Sequence, residues 1–214
     1  DYRLADRLQR PIQGHFSENY QPLGTLMIHY PEAEIADYYR DLNISNAIAS
    51  VSYKRNGAPF SSEYFVSAPD SVIVVRIRSG KPIDITLEPF SLLPHQVSAT
   101  GNRLTVDGYA AYHSLPDYYN ARDKFEYDPD RGIHFRTVYV VECDGQVTAQ
   151  NSALDVQGAS DIVIKIVNAT SFNGFDRDPV LEGLPYKELA DAAADRVSGL
   201  DYESIRTAHI ADYK

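Results

Sequence analysis

Apolar and polar residues alternate with a period near two along most of the chain, from about residue 24 to residue 168. This is the pattern of β-strands that place one face in a core. Runs of this kind recur at short intervals and end in turn residues, which predicts roughly ten strands and an antiparallel sandwich rather than βαβ units. The runs cover residues 24–30, 38–42, 46–67, 71–80, 82–89, 96–108, 133–143, 146–150, 153–158 and 161–169.

The strongest turn signal is Asn56-Gly57, which divides the run 46–67 into two strands. A two-residue hairpin turn needs positive φ at both positions, and Asn and Gly tolerate it best. Gly101-Asn102 predicts a second hairpin, and Asp144-Gly145 predicts a further turn.

The last part of the chain has a helical pattern. Residues 184–199 are rich in alanine, carry Pro185 where a first turn tolerates it, and end at Gly199. Asp201 is a predicted N-cap for a second helix, whose one side carries Tyr202, Ile205, His209 and Tyr213. The pattern is still helical at Lys214, which we interpret as the sign of a longer protein.

Two stretches interrupt the strand pattern. Residues 109–132 form a long insert rich in tyrosine, and residues 170–179 lead from the last strand into the helices. Long loops on a β scaffold often carry function. Within the insert, Tyr112 and His113 are the candidates for contact with a substrate.

The composition narrows the choice of partners. The chain has 214 residues and a formal net charge of -10, which disfavours nucleic acid as a partner. No apolar run is long enough to span a membrane, and no signal peptide is visible. The lone Cys143 ends an apolar run and is expected to be a small buried hydrophobe.

No pattern for catalysis, metal or cofactor binding is present. The sequence has no nucleophile elbow and no glycine-rich phosphate loop, and its histidines are scattered. Glu126, Asp128 and Asp130 are close in sequence but resemble a solvated acidic loop rather than the opposed carboxylates of a glycosidase. Asp176 and Asp178 lack the further oxygen ligands that calcium needs. We therefore predict no metal, no cofactor and no catalytic residue in this chain.

Several stretches together resemble the N-terminal domain of the family 95 glycoside hydrolases, the α-L-fucosidases and their α-L-galactosidase relatives, in the form typical of gut Bacteroidetes. The resemblance runs from about Gly14 to Lys214 and rests on the order and spacing of its parts. They are Y-Q-P-L-G-T-L-M-I (20–28), Y-Y-R-D-L-N-I-S-N-A-I-A-S-V-S-Y (38–53), S-S-E-Y-F-V-S-A-P-D-S-V-I-V-V-R-I (61–77), D-P-D-R-G-I-H-F-R-T (128–137), A-T-S-F-N-G-F-D-R-D-P (169–179) and Y-E-S-I-R-T-A-H-I-A-D-Y (202–213).

This resemblance implies a modular enzyme. In the family, an N-terminal β-supersandwich is followed by a helical linker and a catalytic (α/α)6 barrel, which holds the residues for inverting hydrolysis. Residues 1–180 correspond to the sandwich, without the family's opening segment, and residues 181–214 correspond to the linker toward the barrel. The implied fold is mainly β, an antiparallel supersandwich followed by two C-terminal linker helices. The implied location is periplasmic or secreted.

Two hypotheses follow for the function. In the first, the chain is the non-catalytic N-terminal module of an exo-glycosidase acting on plant or host glycans. Its partners would be the barrel of the same protein and the oligosaccharide substrate, and Tyr202, Ile205, His209 and Tyr213 would lie at the domain interface. In the second, the chain is a free-standing carbohydrate-binding or adhesion sandwich that uses the tyrosine-rich insert as a stacking platform.

Overall fold

The structure is a computed structural model that describes residues 1–13 and 18–214. The described residues form three helices and twelve strands. In chain order these are α1 (Tyr2–Gln13), β1 (Thr25–His29), β2 (Ile35–Asn43), β3 (Ile48–Arg55), β4 (Ala58–Ser67), β5 (Val72–Phe90), β6 (His95–Thr100), β7 (Arg103–Tyr109), β8 (His113–Ser114), β9 (Phe125–Glu126), β10 (His134–Cys143), β11 (Gln146–Ala149), β12 (Leu154–Thr170), α2 (Tyr186–Ser198) and α3 (Tyr202–Tyr213).

Two long strands, β5 and β12, connect the parts of the sheet. The main path runs β2-β3-β4-β5-β12-β10-β7-β6, and every pairing is antiparallel. Away from this path, β1 pairs with the second half of β5, and β11 pairs with the first half of β12. The register of β12 against β5 shifts on either side of Ala159. Such bulges let a strand bend and pass from one sheet layer to another.

These long strands differ from the sequence prediction, which treated 71–80 and 82–89, and likewise 153–158 and 161–169, as separate strands. Gly158 lies within β12 at φ +66°, and its N–H donates to the Asp84 carboxylate at 2.8 Å. A glycine can take this backbone conformation at little steric cost. The chain therefore bends there without ending the strand.

The main core lies between the two layers that the long strands create. It joins buried residues from the large sheet with residues from the second half of β5 and the first half of β12 in one apolar cluster. This arrangement confirms the predicted mainly β, antiparallel sandwich. Its most deeply buried members are Ile77, Leu87, Leu104, Leu154, Val156, Ala159, Ile162 and Ile164.

A second core lies on the opposite face of the large sheet, where α2 and α3 pack. Alanines at 190 and 194 of α2 are fully buried, and their small side chains let the helix approach β10 and β12 closely. The cluster also includes Val72, Val74, Phe65, Val138, Val140, Val167, Val197, Tyr202 and Ile205. Val74 and Val75 therefore face different cores, which explains why this part of β5 is apolar without alternation.

The predicted turn at Asn56-Gly57 and the predicted cap at Asp201 are confirmed. Asn56 and Gly57 have φ +47° and +76° and connect β3 to β4. The Asp201 carboxylate accepts the Ser204 N–H at 2.9 Å and caps α3. α2 begins directly after Pro185.

α1 is a helix for which the sequence analysis predicted no element. The Asp1 carboxylate accepts the N–H groups of Arg3 and Leu4 and so caps its first turn. None of the helices in residues 1–13 and 18–214 combines the length and apolarity that a membrane span requires.

Candidate functional site

The insert 109–132 folds as a small hairpin of its own. β8 pairs with β9 in antiparallel fashion. The Tyr112 N–H donates to the Glu126 carbonyl at 3.0 Å, and the Leu115 N–H donates to the Lys124 carbonyl at 2.8 Å. The insert therefore has an ordered base from which its side chains project.

Tyr112 is held within this hairpin by two contacts. Its hydroxyl donates to the Glu126 carboxylate, and the Arg131 guanidinium lies over its ring, 3.8 Å from the centroid. The hydrogen bond to Glu126 raises the pKa of the Tyr112 phenol above its ordinary value. Both the ring face and the hydroxyl of this candidate residue are thus engaged within the chain.

His113 contacts the segment that precedes β1. Its Nδ1 lies 3.0 Å from Glu18 Oε1, and the other Glu18 oxygen accepts the Ser114 N–H. Burial opposes the charge on Glu18, but the Ser114 N–H and His113 outweigh it and hold the pKa of the carboxyl below its ordinary value. Ser114 Oγ accepts the Asn19 N–H at 2.8 Å. The residues around 18–21 thus fasten the base of the insert to the sandwich.

Exposed aromatic rings lie farther along the insert. Tyr118 is 82% exposed and lies beside Tyr119, with ring centroids 5.4 Å apart. Phe125 and Tyr127 are also exposed. The rings of Tyr118, Phe125 and Tyr127, rather than the partnered Tyr112, present exposed apolar surface to a ligand or another domain.

His134 connects the insert to the start of α2. Its Nε2 lies 2.7 Å from the Pro129 carbonyl, and its Nδ1 lies 3.4 Å from the Tyr186 hydroxyl. The Pro129 carbonyl can only accept, so Nε2–H is the donor in that contact. Both ring nitrogens of His134 are therefore engaged by contacts within the chain.

The loop after β12 is internally fixed and presents apolar side chains. Asp178 Oδ1 accepts the N–H groups of Val180 and Leu181 at 2.8 Å, and these bonds lower the pKa of Asp178. Phe172 and Phe175 are exposed on the same loop.

Among the described residues, no group of three or more His, Cys, Asp or Glu could hold a metal ion.

Three of the four residues expected at a domain interface pack against the sheet of this same chain. The Tyr202 hydroxyl donates to Glu63, Ile205 is buried in the second core, and His209 Nε2 lies 2.8 Å from the Asn46 carbonyl. They do so because the apolar side of α3 faces β4. Burial, together with the bond to Glu63, raises the pKa of Tyr202. Tyr213 remains exposed, and a role of any of the four toward another domain stays a prediction.

Charged side chains of the sheet reinforce the docking of α2. Arg136 binds both Asp107 oxygens at 2.8 Å and reaches Asp191 at 2.6 Å. Arg103 contacts Asp195 at 2.7 Å. The hydrogen bond to Asp107 is the main cause of the raised pKa of Arg136. Bidentate pairs of this kind fix geometry as well as adding energy.

A buried lysine and a second arginine complete this docking. Lys165 Nζ is fully buried and donates to Glu142 at 2.6 Å, Val197 O at 3.0 Å and Leu200 O at 2.6 Å. Val197 lies in the last turn of α2, where a cation is favourable, and Leu200 follows in the connection to α3. On α3, Glu203 accepts from Arg76 at 3.0 Å. The helices are therefore fixed to the sheet by polar contacts as well as apolar ones.

Comparisons with known proteins give a consistent result. A family model described as "Glycosyl hydrolase family 65, N-terminal domain" matches residues 1–174. The chain is 27% identical over 219 residues to "Alpha-L-fucosidase 2" of Arabidopsis thaliana, a match that covers 95% of the chain and 26% of that protein.

A solved structure is similar in fold. The "Putative kojibiose phosphorylase from human microbiome" superposes with a TM-score of 0.53 at 11% identity, covering 88% of the chain and 27% of that structure. At this identity the likeness concerns the fold alone. The chain thus spans about a quarter of the length of both relatives.

Proposed function

The chain belongs to the family of glycosyl hydrolase family 65 N-terminal domains, and from this premise we propose that it is the non-catalytic N-terminal module of an exo-glycosidase of the α-L-fucosidase or α-L-galactosidase type. The predicted identity as an N-terminal sandwich domain of a glycoside hydrolase is confirmed. The proposal adds an inverting catalytic barrel outside this chain, with oligosaccharides of plant or host glycans as its substrate. The α-L-fucosidase name of the curated relative supports this choice of reaction.

The docking of the two helices on the sheet is the observation that carries this proposal. Residues 1–180 form the sandwich in this proposal, and residues 181–214 connect it to the barrel. Arg136 and Lys165 attach α2 to the sheet, and Arg76 attaches α3. A connection fixed in this way sets the direction in which the following domain is held. A flexible tether would leave that orientation free.

The test compares the complete encoded protein with two shorter forms. The whole protein, the 214-residue chain and the protein lacking residues 1–214 are assayed on p-nitrophenyl α-L-fucoside and α-L-galactoside. We expect hydrolysis by the whole protein, none by the 214-residue chain, and loss of activity or solubility without residues 1–214. Turnover by the 214-residue chain that a point substitution abolishes would overturn the non-catalytic role.

The insert is the part of this module that we propose to lie toward the catalytic pocket, with Tyr112 and His113 as the residues nearest the substrate. Its ordered base and exposed tip support this placement. Replacing Tyr112 or His113 with alanine in the whole protein is expected to lower kcat/KM. If both variants stay within about twofold of wild type, less than roughly 0.5 kcal/mol of transition-state binding is involved and the placement is wrong.

A second candidate function is a free-standing carbohydrate-binding or adhesion sandwich. The high exposure of Tyr118 at the tip of the insert favours it, since a stacking platform needs a free ring face. A reading frame that ends at Lys214, together with glycan binding that Tyr118→Ala abolishes, would favour this candidate over the enzyme module.

We also propose a periplasmic or secreted location for the parent protein. Glycan polymers do not cross a membrane unaided, so their first cleavage takes place outside the cytoplasm. Fractionation of source cells with an antibody against the chain tests this location, and detection in the cytoplasm alone would contradict it.

A further inference from the structure

A shallow polar trough crosses four strands on the outer face of the large sheet, beside α3. Its central row is Tyr39 on β2, Ser52 on β3, Ser61 on β4 and Arg78 on β5. Each of these residues lies directly opposite the next in the strand register. Directly opposed residues of antiparallel strands point to the same face. The row therefore places its four side chains together on one surface.

The trough forms a depression because the side chains on its floor, Ser52 and Ser61, are small. Two cavities of about 500 Å³ and 250 Å³ share Ser52, Ser61 and Arg78 in their linings. Neighbouring strands lie about 4.8 Å apart, so Tyr39 and Arg78 stand about 14 Å apart with only two serine side chains between them. This space is wide enough for a sugar ring.

The two ends of the trough carry charges of both signs. At one end, Lys54 pairs with Asp37 at 2.8 Å. At the other end, Glu63 and Arg76 lie on the same strand face as the central row. Because each end holds one acidic and one basic group, the ends do not favour a highly charged ligand of either sign, and they suit a neutral one with many hydroxyls.

The central row supplies the groups that recognise such a ligand. Tyr39 is 62% exposed and offers an apolar ring face. The hydroxyls of Tyr39, Ser52 and Ser61 have no hydrogen-bond partner within the described part of the chain. The Arg78 side chain is 55% exposed, and its ion pair among the described residues is a long contact with Asp161, at 3.8 Å. Its planar guanidinium can therefore donate to two adjacent ligand oxygens.

We propose that this trough is a binding site for a neutral oligosaccharide, with the Tyr39 ring against one sugar face and Arg78 and the serine hydroxyls on its hydroxyl groups. The trough lies on a different strand set from the insert. The proposal rests on none of the arguments for a catalytic module, so either can fail without the other.

The test measures binding to the 214-residue chain by saturation-transfer NMR and titration. The probes are 2′-fucosyllactose, cellohexaose and maltohexaose. We expect at least one probe to bind with a Kd of about 1–10 mM. Tyr39→Ala should weaken that binding about tenfold, and Ser52→Trp should abolish it by filling the floor.

Tyr38→Ala is the matched control, because Tyr38 is the next residue on the same strand and stacks on Tyr53 at the other face. It should leave the Kd unchanged. If Ser52→Trp lowers the melting temperature, Arg78→Gln replaces it and should also weaken binding. The proposal is overturned if no probe binds, if Tyr39→Ala and the floor variant both bind like wild type, or if only Tyr118→Ala removes binding.

Discussion

Replacing Lys165 with methionine tests how strongly the helices are fixed to the sandwich. Methionine keeps the length and most of the volume of the lysine stem but removes all three hydrogen-bond donations. The side chain is 0% exposed, so water cannot take the place of the ammonium group. The Val197 carbonyl in the last turn of α2 and the Leu200 carbonyl just after the helix would then lose this donor.

The expected loss in the free energy of unfolding depends on the groups that Lys165 leaves without a partner. Breaking a buried ion pair by removing one partner usually costs about 3–5 kcal/mol, and each unsatisfied buried acceptor costs about 1–3 kcal/mol. The remaining partner Glu142 is 38% exposed and regains water, which places the loss at the low end. We expect about 3 kcal/mol, or a fall in Tm of roughly 6–12 °C for a chain of this size.

Urea unfolding measures the free energy of unfolding, and amide exchange shows where the loss falls. Exchange in α2 and α3 should rise more than exchange in β10. Lys54→Met is the matched control, because Lys54 also pairs with a carboxylate but lies on the surface. This control should leave the unfolding midpoint unchanged, since exposed pairs contribute little.

A role for the buried ammonium group in docking is refuted if Lys165→Met lowers the free energy of unfolding by less than about 1 kcal/mol. It is also refuted if Lys54→Met has an equal effect. Either result would mean that the apolar contacts of α2 alone hold the helix in place and that the buried ammonium group is not needed for docking.

Three further outcomes can be checked on the isolated chain. Gly57→Ala should destabilise the fold by about 1 kcal/mol in urea unfolding, because alanine disfavours the φ of +76° found there. Ala194→Leu should cost about 1–3 kcal/mol by the same measurement, since the buried alanine leaves no room between α2 and the sheet. The Ser160 hydroxyl, followed by the N–H groups of Asp161 and Ser160, lowers the pKa of Asp144 to about 2. The stabilisation that the ionised Asp144 carboxylate gives to the folded state is therefore present above about pH 4 and lost as the pH falls through 2. Carbon-detected NMR titration checks the pKa of Asp144, and Ser160→Ala should raise that pKa.

Local patterns predicted most of the fold because each depends on few neighbours. The turn at Asn56-Gly57 needs only its own φ values, and the cap at Asp201 needs only Ser204 three residues later. Local patterns did not predict α1, because the Asp1 cap is followed by a stretch with few apolar residues. They also did not show that the two halves of β12 form one strand, because the bend at Gly158 resembles the end of a strand.

The residues that fix the helices and shape the trough could not be predicted in this way, because their partners are distant in sequence. Arg136 meets Asp191 across 55 residues, and Arg76 meets Glu203 across 127 residues. Each arginine looks like an ordinary exposed strand residue until the register of the sheet and the docking of the helices are both known. Tyr39 and Arg78 come together only through the two strands between them. The sequence places a strand at each of these positions, but only the order of strands in the sheet decides which strands are neighbours. Functional surfaces on a sandwich face therefore depend on strand order, and this is the information that a period-two pattern does not contain.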